Sequence, residues 1–220
     1  MSQIEVNRRL LSENDQAAQF LRDKFRRSGT LVVNLISSPG SGKTTLLEAT
    51  VARMAGDYRL AAIEGDIATE RDAERLRRQG IPARQIVTGG ACHLDARQVK
   101  AELEKGDWGD PDILFIENVG NLVCPTSYDL GEDFKVVVLS VTEGDDKPFK
   151  YPGIFARAWI SVISKIDLLP YVEFDVDAVR AQVRALSSEA RLLLTSARTG
   201  EGVDEWCALL SERVKEKKRR

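Results

Sequence analysis

Apolar residues along this chain fall into short unbroken runs, separated by stretches in which they recur every three or four positions. Leu31-Val-Val-Asn-Leu-Ile36 is such a run; a glycine-rich turn follows it, then a helical pattern from about Gly42 to Met54. The alternation repeats, with strand signals at Arg59–Ile63, 84–88, Asp112–Ile116, Lys135–Val141, Trp159–Ile163 and 191–195. Helical signals stand between and after them at Ala68–Gln79, 94–105, 176–187 and 203–217. Strands alternating with helices predict parallel βαβ units. Near-continuous apolar strands predict a sheet covered on both faces. Residues 4–28 also read as helical, with Val6, Leu10, Ala17, Phe20 and Leu21 at helical spacing. Within them Ser12, Asn14 and Asp15 cap well and propagate poorly, so they offer a break into two helices. The expected organisation is an N-terminal helical extension over 1–29 and one α/β domain over 30–220, a mostly parallel sheet flanked by helices on both faces.

Composition narrows the classes. With 32 basic and 34 acidic residues the formal net charge is −2, so no global electrostatic attraction to nucleic acid or membrane is expected. No stretch approaches the roughly 20 apolar residues of a membrane span, and Met1 to Asn14 lacks the pattern of a signal peptide. Three widely spaced cysteines, Cys92, Cys124 and Cys207, do not make a disulfide framework. A cytoplasmic setting with reduced thiols is expected. The basic tail Lys215–Arg220 reads as a solvated helix end.

The strongest local signal is Ser37-Ser38-Pro39-Gly40-Ser41-Gly42-Lys43-Thr44-Thr45, placed between a buried strand and a helix. Glycines let consecutive N–H groups curl around an anion, and the helix N-terminus adds partial positive charge. Lys43 offers its ammonium to the outer phosphates and Thr44 its hydroxyl to Mg²⁺. This makes the fold a P-loop NTPase, with Pro39, Gly40, Ser41, Gly42, Lys43, Thr44 and Thr45 as nucleotide contacts. Ser37 stands where the motif usually has its first glycine.

Ser164-Lys165-Ile166-Asp167 follows a late strand and resembles the N-K-x-D guanine motif, with Ser in place of Asn. Asp167 would accept from the guanine edge and Lys165 would pack over the base. Thr195-Ser196-Ala197-Arg198-Thr199-Gly200 resembles the S-A-x-T-G element, whose Ser196 and Ala197 would support base recognition. In order and after successive strands, these point to GTP rather than ATP.

Carboxylates at the carboxyl ends of strands complete the expected site. Glu117-Asn118-Val119-Gly120 resembles D-x-x-G with Glu in place of Asp. Glu117 would hold Mg²⁺ and Gly120 would donate its N–H to the γ-phosphate. Asp66 is assigned to Mg²⁺ or the attacking water, with Asp72 as alternate; Asp66 also suits a cap for the helix over 68–79. Lys43, Asp66, Asp72, Glu117 and Gly120 are thus the catalytic candidates, and Thr44, Asp66 and Glu117 the magnesium set.

His93, the only histidine, follows Cys92, and Cys124 lies just past Gly120. Thiolate and imidazole suit Ni²⁺ and Zn²⁺. Three ligands do not close a tetrahedral site, whereas a symmetric dimer would supply six. The competing reading is small buried thiols and an ordinary histidine; Cys207, among apolar residues, reads as core.

Taken together, the chain resembles the hydrogenase nickel-incorporation GTPases, the HypB family of the dimerising SIMIBI P-loop class. The carriers are Ser38–Thr45, Glu64-Gly-Asp66, Gly89-Gly-Ala-Cys-His-Leu-Asp-Ala96, Glu117-Asn-Val-Gly-Asn-Leu-Val-Cys-Pro125 and Thr142-Glu-Gly-Asp-Asp-Lys-Pro-Phe-Lys-Tyr-Pro152. The resemblance implies a metallochaperone for [NiFe]-hydrogenase maturation, GTP hydrolysis with Mg²⁺, and GTP-dependent homodimerisation. It places Cys92, His93 and Cys124 at a metal site in the dimer interface. It further implies a HypA-type nickel-binding partner and delivery to the hydrogenase large subunit. Met1 to Arg27 holds no Cys or His, so the nickel-storing N-terminal cluster of some members is missing. The alternatives from other classes are a regulatory switch with structural cysteines and a nucleoside or small-molecule kinase.

Overall fold

Strand β1 (Leu31–Ser37) lies inside the sheet with all seven residues buried. Its side chains alternate between two apolar layers. Leu31, Val33 and Leu35 face one cluster, while Val32 and Ile36 enter two others on the opposite face. A strand covered on both sides cannot show polar alternation, which is why its sequence reads as an apolar run. The computed structural model describes residues 3–67, 70–106 and 108–219, with side chains from Leu11 onward.

Seven strands form one sheet in the order β3-β2-β4-β1-β5-β6-β7. The others are β2 (Leu60–Asp66), β3 (Ala83–Val87), β4 (Ile113–Glu117), β5 (Phe134–Ser140), β6 (Ala158–Ser164) and β7 (Arg191–Leu194). Every pairing is parallel. This is the P-loop α/β architecture the sequence predicts. Helices α2 (Lys43–Met54), α3 (Arg71–Arg78) and α8 (Val203–Lys218) cover one face. There the Trp206 indole N–H donates to Thr50 Oγ1 at 2.9 Å, joining α8 to α2 inside the core. On the other face lie α1 (Gln3–Ser28) and α4 (Ala96–Glu104) over β1, β2 and β4. Beside them α6 (Pro152–Arg157) and α7 (Val176–Leu186) lie over β5 and β6.

Two differences from expectation have local causes. Helix α1 is continuous where a break was expected. Asn14 is buried, and its amide is used across the fold: Nδ2 donates to the Asp129 carbonyl at 2.9 Å, and Oδ1 accepts from Ala96 N at 2.8 Å. A side chain committed to tertiary partners does not compete with its own helix. Helix α3 starts at Arg71 with Glu70 as its cap position, so Asp66 does not cap it. Ala68 and Thr69, where that helix was expected to begin, lie outside the described residues.

The segment after β5 holds a 3-10 turn at Val141–Glu143, then α5 (Lys147–Lys150) and α6. Ser140 and Glu143 form a capping box. Asp145 accepts from Asp175 N at 2.9 Å, ahead of α7. Asp146 pairs with Lys150.

Candidate nucleotide and metal sites

The chain reverses its sheet order around β1, whose neighbours are β4 and β5, and the loop leaving β1 opens at that switch point. Gly42 precedes α2 at φ 92°, a conformation that glycine adopts without a Cβ penalty. Lys43 lies under the loop: its ammonium donates to Ser37 Oγ at 2.7 Å and stands 3.7 Å from Glu117 Oε1. Ser37, the departure from the motif, therefore holds the lysine. Thr44 Oγ1 donates to the same Glu117 oxygen at 3.1 Å.

Glu117 ends β4 opposite Glu64 of β2, in register. Both carboxyls are buried. Burial, and then the charge of Glu117, holds Glu64 well above the usual carboxylate range. Burial raises Glu117 too, against the pull of the Lys43 ammonium. Burial and mutual repulsion thus favour the neutral form at this pair, most strongly at Glu64. Glu64 Oε1 and Glu117 Oε2 have no protein partner. A buried carboxylate with an unpartnered oxygen, beside a threonine hydroxyl and a lysine, is a donor set that fits Mg²⁺ with phosphate.

Asp66, Asp72 and Arg75 border the same cleft of about 470 Å³, with Pro39, Gly40, Lys43, Thr44, Thr45, Glu117 and Gly120. Asp72 is held by Arg75 at 3.0 Å, and Arg75 also bonds Glu48 of α2 at 2.6 Å. Gly120 packs on the phosphate loop; a Cβ there would come within 2.8 Å of Pro39 Cγ and 2.9 Å of its backbone nitrogen.

A smaller, more apolar cavity of about 220 Å³ adjoins the cleft through Gly42, Thr45 and Lys165. Lys165, Asp167, Leu168, Ala197 and Arg198 line it. Ser196 Oγ donates to Asp167 Oδ1 at 2.7 Å, fixing the carboxylate. Lys165 has φ 59° and donates to the Gly40 carbonyl at 2.7 Å, and Ser164 Oγ donates to the Ser41 carbonyl at 2.6 Å. The two expected guanine elements and the phosphate loop therefore meet at one cavity. Asp145, Asp146, Lys147 and Lys150 border neither space.

Cys92, His93 and Cys124 come together with their ligand atoms within 4.8 Å of one another. Asp95 caps α4 with a capping box to Gln98, ending the Cys92-His93 loop. Asn121 Oδ1 accepts from Val123 N at 2.7 Å, and Cys124 begins the 3-10 turn Cys124–Ser127, with Pro125 next to it. The His93 ring lies 3.9 Å from the Tyr128 ring. Burial lowers the imidazole below its ordinary value, which favours the neutral, ligating form. A hydrogen bond with the Cys124 thiol, and burial, raise Cys92. Cys207 is buried in the core, away from this group.

The sequence reading gave no role to Glu64, Asn118, Tyr128 or Arg75. For Glu64 and Asn118 a signal existed, a polar residue at the end of an apolar strand; for Tyr128 and Arg75 the pattern holds none.

Residues 31–193 match the family model described as "CobW/HypB/UreG, nucleotide-binding domain". The hydrogenase maturation factor HypB of Escherichia coli (strain K12) is 50% identical over 203 residues, covering 92% of this chain and 70% of that protein. The crystal structure of hydrogenase maturation factor HypB from Archaeoglobus fulgidus superposes with a TM-score of 0.87 at 42% identity, over 93% of this chain and 100% of that one. HypB from Helicobacter pylori, solved in complex with nickel, gives 0.87 at 41% identity over 93% and 96%.

Proposed function

The chain belongs to the HypB family of hydrogenase maturation factors, within the CobW/HypB/UreG nucleotide-binding proteins, and from that premise we propose that it is a GTP-hydrolysing nickel metallochaperone. The observation that carries this is the position of Cys124. It lies on the segment that leaves the phosphate cleft at Glu117 and Gly120, and it meets Cys92 and His93. Movement of that segment changes the ligand set.

In this reading residues 30–220 do the nucleotide chemistry. Lys43 and the loop N–H groups take the phosphates, while Thr44, Glu117 and Asp66 hold Mg²⁺. The ion supplies charge neutralisation on the phosphates when bound. Asp66 or Asp72 orients the attacking water. Gly120 donates to the γ-phosphate, and Asp167, Lys165, Ser196 and Ala197 select guanine. Nickel is cargo. Three ligands on one chain leave the site open, and all three residues are half-exposed, so a second copy facing it completes the coordination when GTP is bound. Release follows hydrolysis, toward a HypA-type partner or the hydrogenase large subunit. The cytoplasm, where thiols stay reduced, suits three free cysteines. Among the described residues no helix is long and apolar enough to cross a membrane.

The test is molecular mass and metal content in solution, with no nucleotide, with GDP and with a slowly hydrolysed GTP analogue, each with and without Ni²⁺. The expected result is a dimer with the analogue that carries nickel lost in Cys92→Ala or Cys124→Ala. A monomer in every state with no retained metal would leave only a regulatory switch. Absence of phosphate release unless an acceptor is added would favour the kinase.

A further inference from the structure

The face of β1 that carries Val32 and Ile36 has one polar residue between them. Asn34 is buried where two apolar clusters meet, Val32 belonging to one and Ile36 to the other. A buried amide is tolerated when its groups are paired, and here the partners form a chain. Asn118 Nδ2 donates to Asn34 Oδ1 at 3.3 Å, and Asn34 Nδ2 donates to Glu132 Oε1 at 3.3 Å. Glu132 is held by Leu130 N at 2.6 Å and by the Lys135 ammonium, which also donates to the Tyr128 carbonyl at 2.7 Å.

Both ends of this chain arrive at His93. Asn118 Oδ1 accepts from Leu94 N at 3.0 Å, the residue after the imidazole, while Tyr128 lies against the imidazole ring itself. The same Asn118 oxygen accepts from Val119 N at 3.0 Å, inside the segment between Glu117 and Gly120. Leu94 is held a second way. Its side chain lies against Gly65, where a Cβ would come within 2.7 Å of Leu94 Cγ, next to Asp66. Cys124 follows Gly120 by four residues along the chain and is tied back to it through Asn121 Oδ1, which accepts from Cys124 N at 3.4 Å. The other loop, with Cys92 and His93, has the contacts through Leu94 and Tyr128.

We propose that Asn118, Asn34, Glu132 and Lys135 form a positioning line through the sheet that transmits the state of the Glu117–Gly120 segment to His93. This rests on the metallochaperone reading for its purpose, but not for its geometry. None of the four is a metal ligand in that reading, so their effect is on where the imidazole stands. Asn34 and Lys135 are not among the nucleotide contacts assigned above and border neither the cleft nor the adjoining cavity. Asn118 reaches Leu94 N directly, and the line through Asn34, Glu132 and Lys135 adds a hold at Tyr128, so the imidazole is positioned from both sides.

The sole histidine permits a direct test on the intact chain. Ring resonances of His93 are recorded by NMR at fixed pH without metal, with Mg–GDP and then with a magnesium-bound, slowly hydrolysed GTP analogue. Ni²⁺ is titrated separately into both forms. In the wild type the ring signals shift between nucleotides, and Ni²⁺ affinity differs by about fivefold or more, the usual scale of coupling. Asn34→Val cuts the line in its middle, and Lys135→Met frees Tyr128 while keeping the aliphatic stem. In either variant the ring shift and the affinity ratio fall clearly below their wild-type values, because only the direct Asn118–Leu94 tie is left, while the nickel–thiolate absorption band still forms. A wild-type ring that ignores nucleotide overturns the proposal, and that result needs no variant to fold. So does a folded variant that keeps the full shift. If His93 responds to nucleotide but the chain binds no Ni²⁺, the metallochaperone reading falls and the positioning line stands.

Discussion

The Ser164 hydroxyl donates to the Ser41 carbonyl at 2.6 Å, across 123 positions of sequence, and both residues are buried. The shortened residue of the guanine motif thus still ties the base-recognition loop to the phosphate loop. Lys165 makes a parallel tie to Gly40. Ser164→Ala would remove the donor and leave a buried carbonyl unpaired, a loss of about 1–3 kcal/mol. We expect guanine-nucleotide affinity to fall by roughly tenfold, with Ser164→Asn recovering part of it. Fluorescent-GDP titration decides; an unchanged affinity in Ser164→Ala would mean the tie is incidental.

The buried carboxyl pair predicts an asymmetry between its members. Burial and the neighbouring Glu117 favour the neutral form of Glu64, so Glu64→Gln replaces one neutral group by another. Its melting temperature at pH 7 should stay near wild type. Glu117→Gln removes the charge facing Lys43 and the oxygen expected to serve Mg²⁺. Phosphate release should then drop by at least about a hundredfold, on the scale of losing one charge-stabilising group. Equal stability losses in the two variants would show that the proton is not held where burial places it.

Metal loading should weaken in acid, with a slope set by the thiols. Burial and the Cys124 partner hold Cys92 above its ordinary value, so near neutrality its thiol is protonated and a metal must displace that proton. Displacing the Cys92 proton gives a fall of up to roughly tenfold in affinity per pH unit. His93, lowered by burial, stays neutral as pH drops toward its usual range and adds to the slope only below that. Competition titration between pH 6 and pH 8 reads the slope; a flat profile would exclude thiolate ligation.

Burial pushes the Cys207 thiol up to about 11, so it should resist labelling. A thiol reagent at pH 8 should modify Cys92 and Cys124 in the native protein and reach Cys207 only after denaturant. Bound Ni²⁺ should slow the first two alone. Rapid labelling of Cys207 would place it outside the core.

Asp112 contributes stability that acid removes. Burial alone would raise its carboxyl, but Lys218 at 2.7 Å and the Arg59 N–H at 2.8 Å outweigh that and hold it below the ordinary value. As pH falls, the unfolded chain takes up the proton first, so the contribution is full above the usual carboxylate range and disappears below it. Asp112→Asn should lower the melting temperature at pH 7 and flatten the acid loss between pH 5 and pH 3. A variant with the wild-type acid profile would move the effect to other carboxylates.

Most strands were legible because a sheet covered on both faces needs apolar runs, and the runs stand within a residue or two of β1 and β3 to β7, while β2 continues three residues past Ile63 to Asp66. The phosphate loop, and the Lys165–Asp167 and Ser196–Ala197 elements that the structure brings to a cavity beside it, stood out in the sequence because each pattern depends on neighbours a few positions away. Asn14 was misread as a helix break because its partners, Ala96 and Asp129, lie far along the chain. Asn34 carried no reading for the same reason, since one amide in an apolar strand has no local meaning until Glu132 and Asn118 are brought to it. Glu64 looked like part of a motif; its burial in the sheet and its register opposite Glu117, both set by distant residues, are what raise its carboxyl.

The sheet order has a consequence for how the molecule is made. Strand β1 is bordered by β4 and β5, so Leu31 waits for Ile113, and Val33 for Phe134, before its backbone is paired on either side. Such distant closures are slow, because the entropy of a long loop is lost before any contact rewards it. The phosphate loop at the end of β1 is therefore early in synthesis and late in assembly. Nucleotide affinity, followed during refolding, reports completion of the sheet centre. Substitutions in β4 or β5 that slow this pairing delay affinity without touching a nucleotide contact.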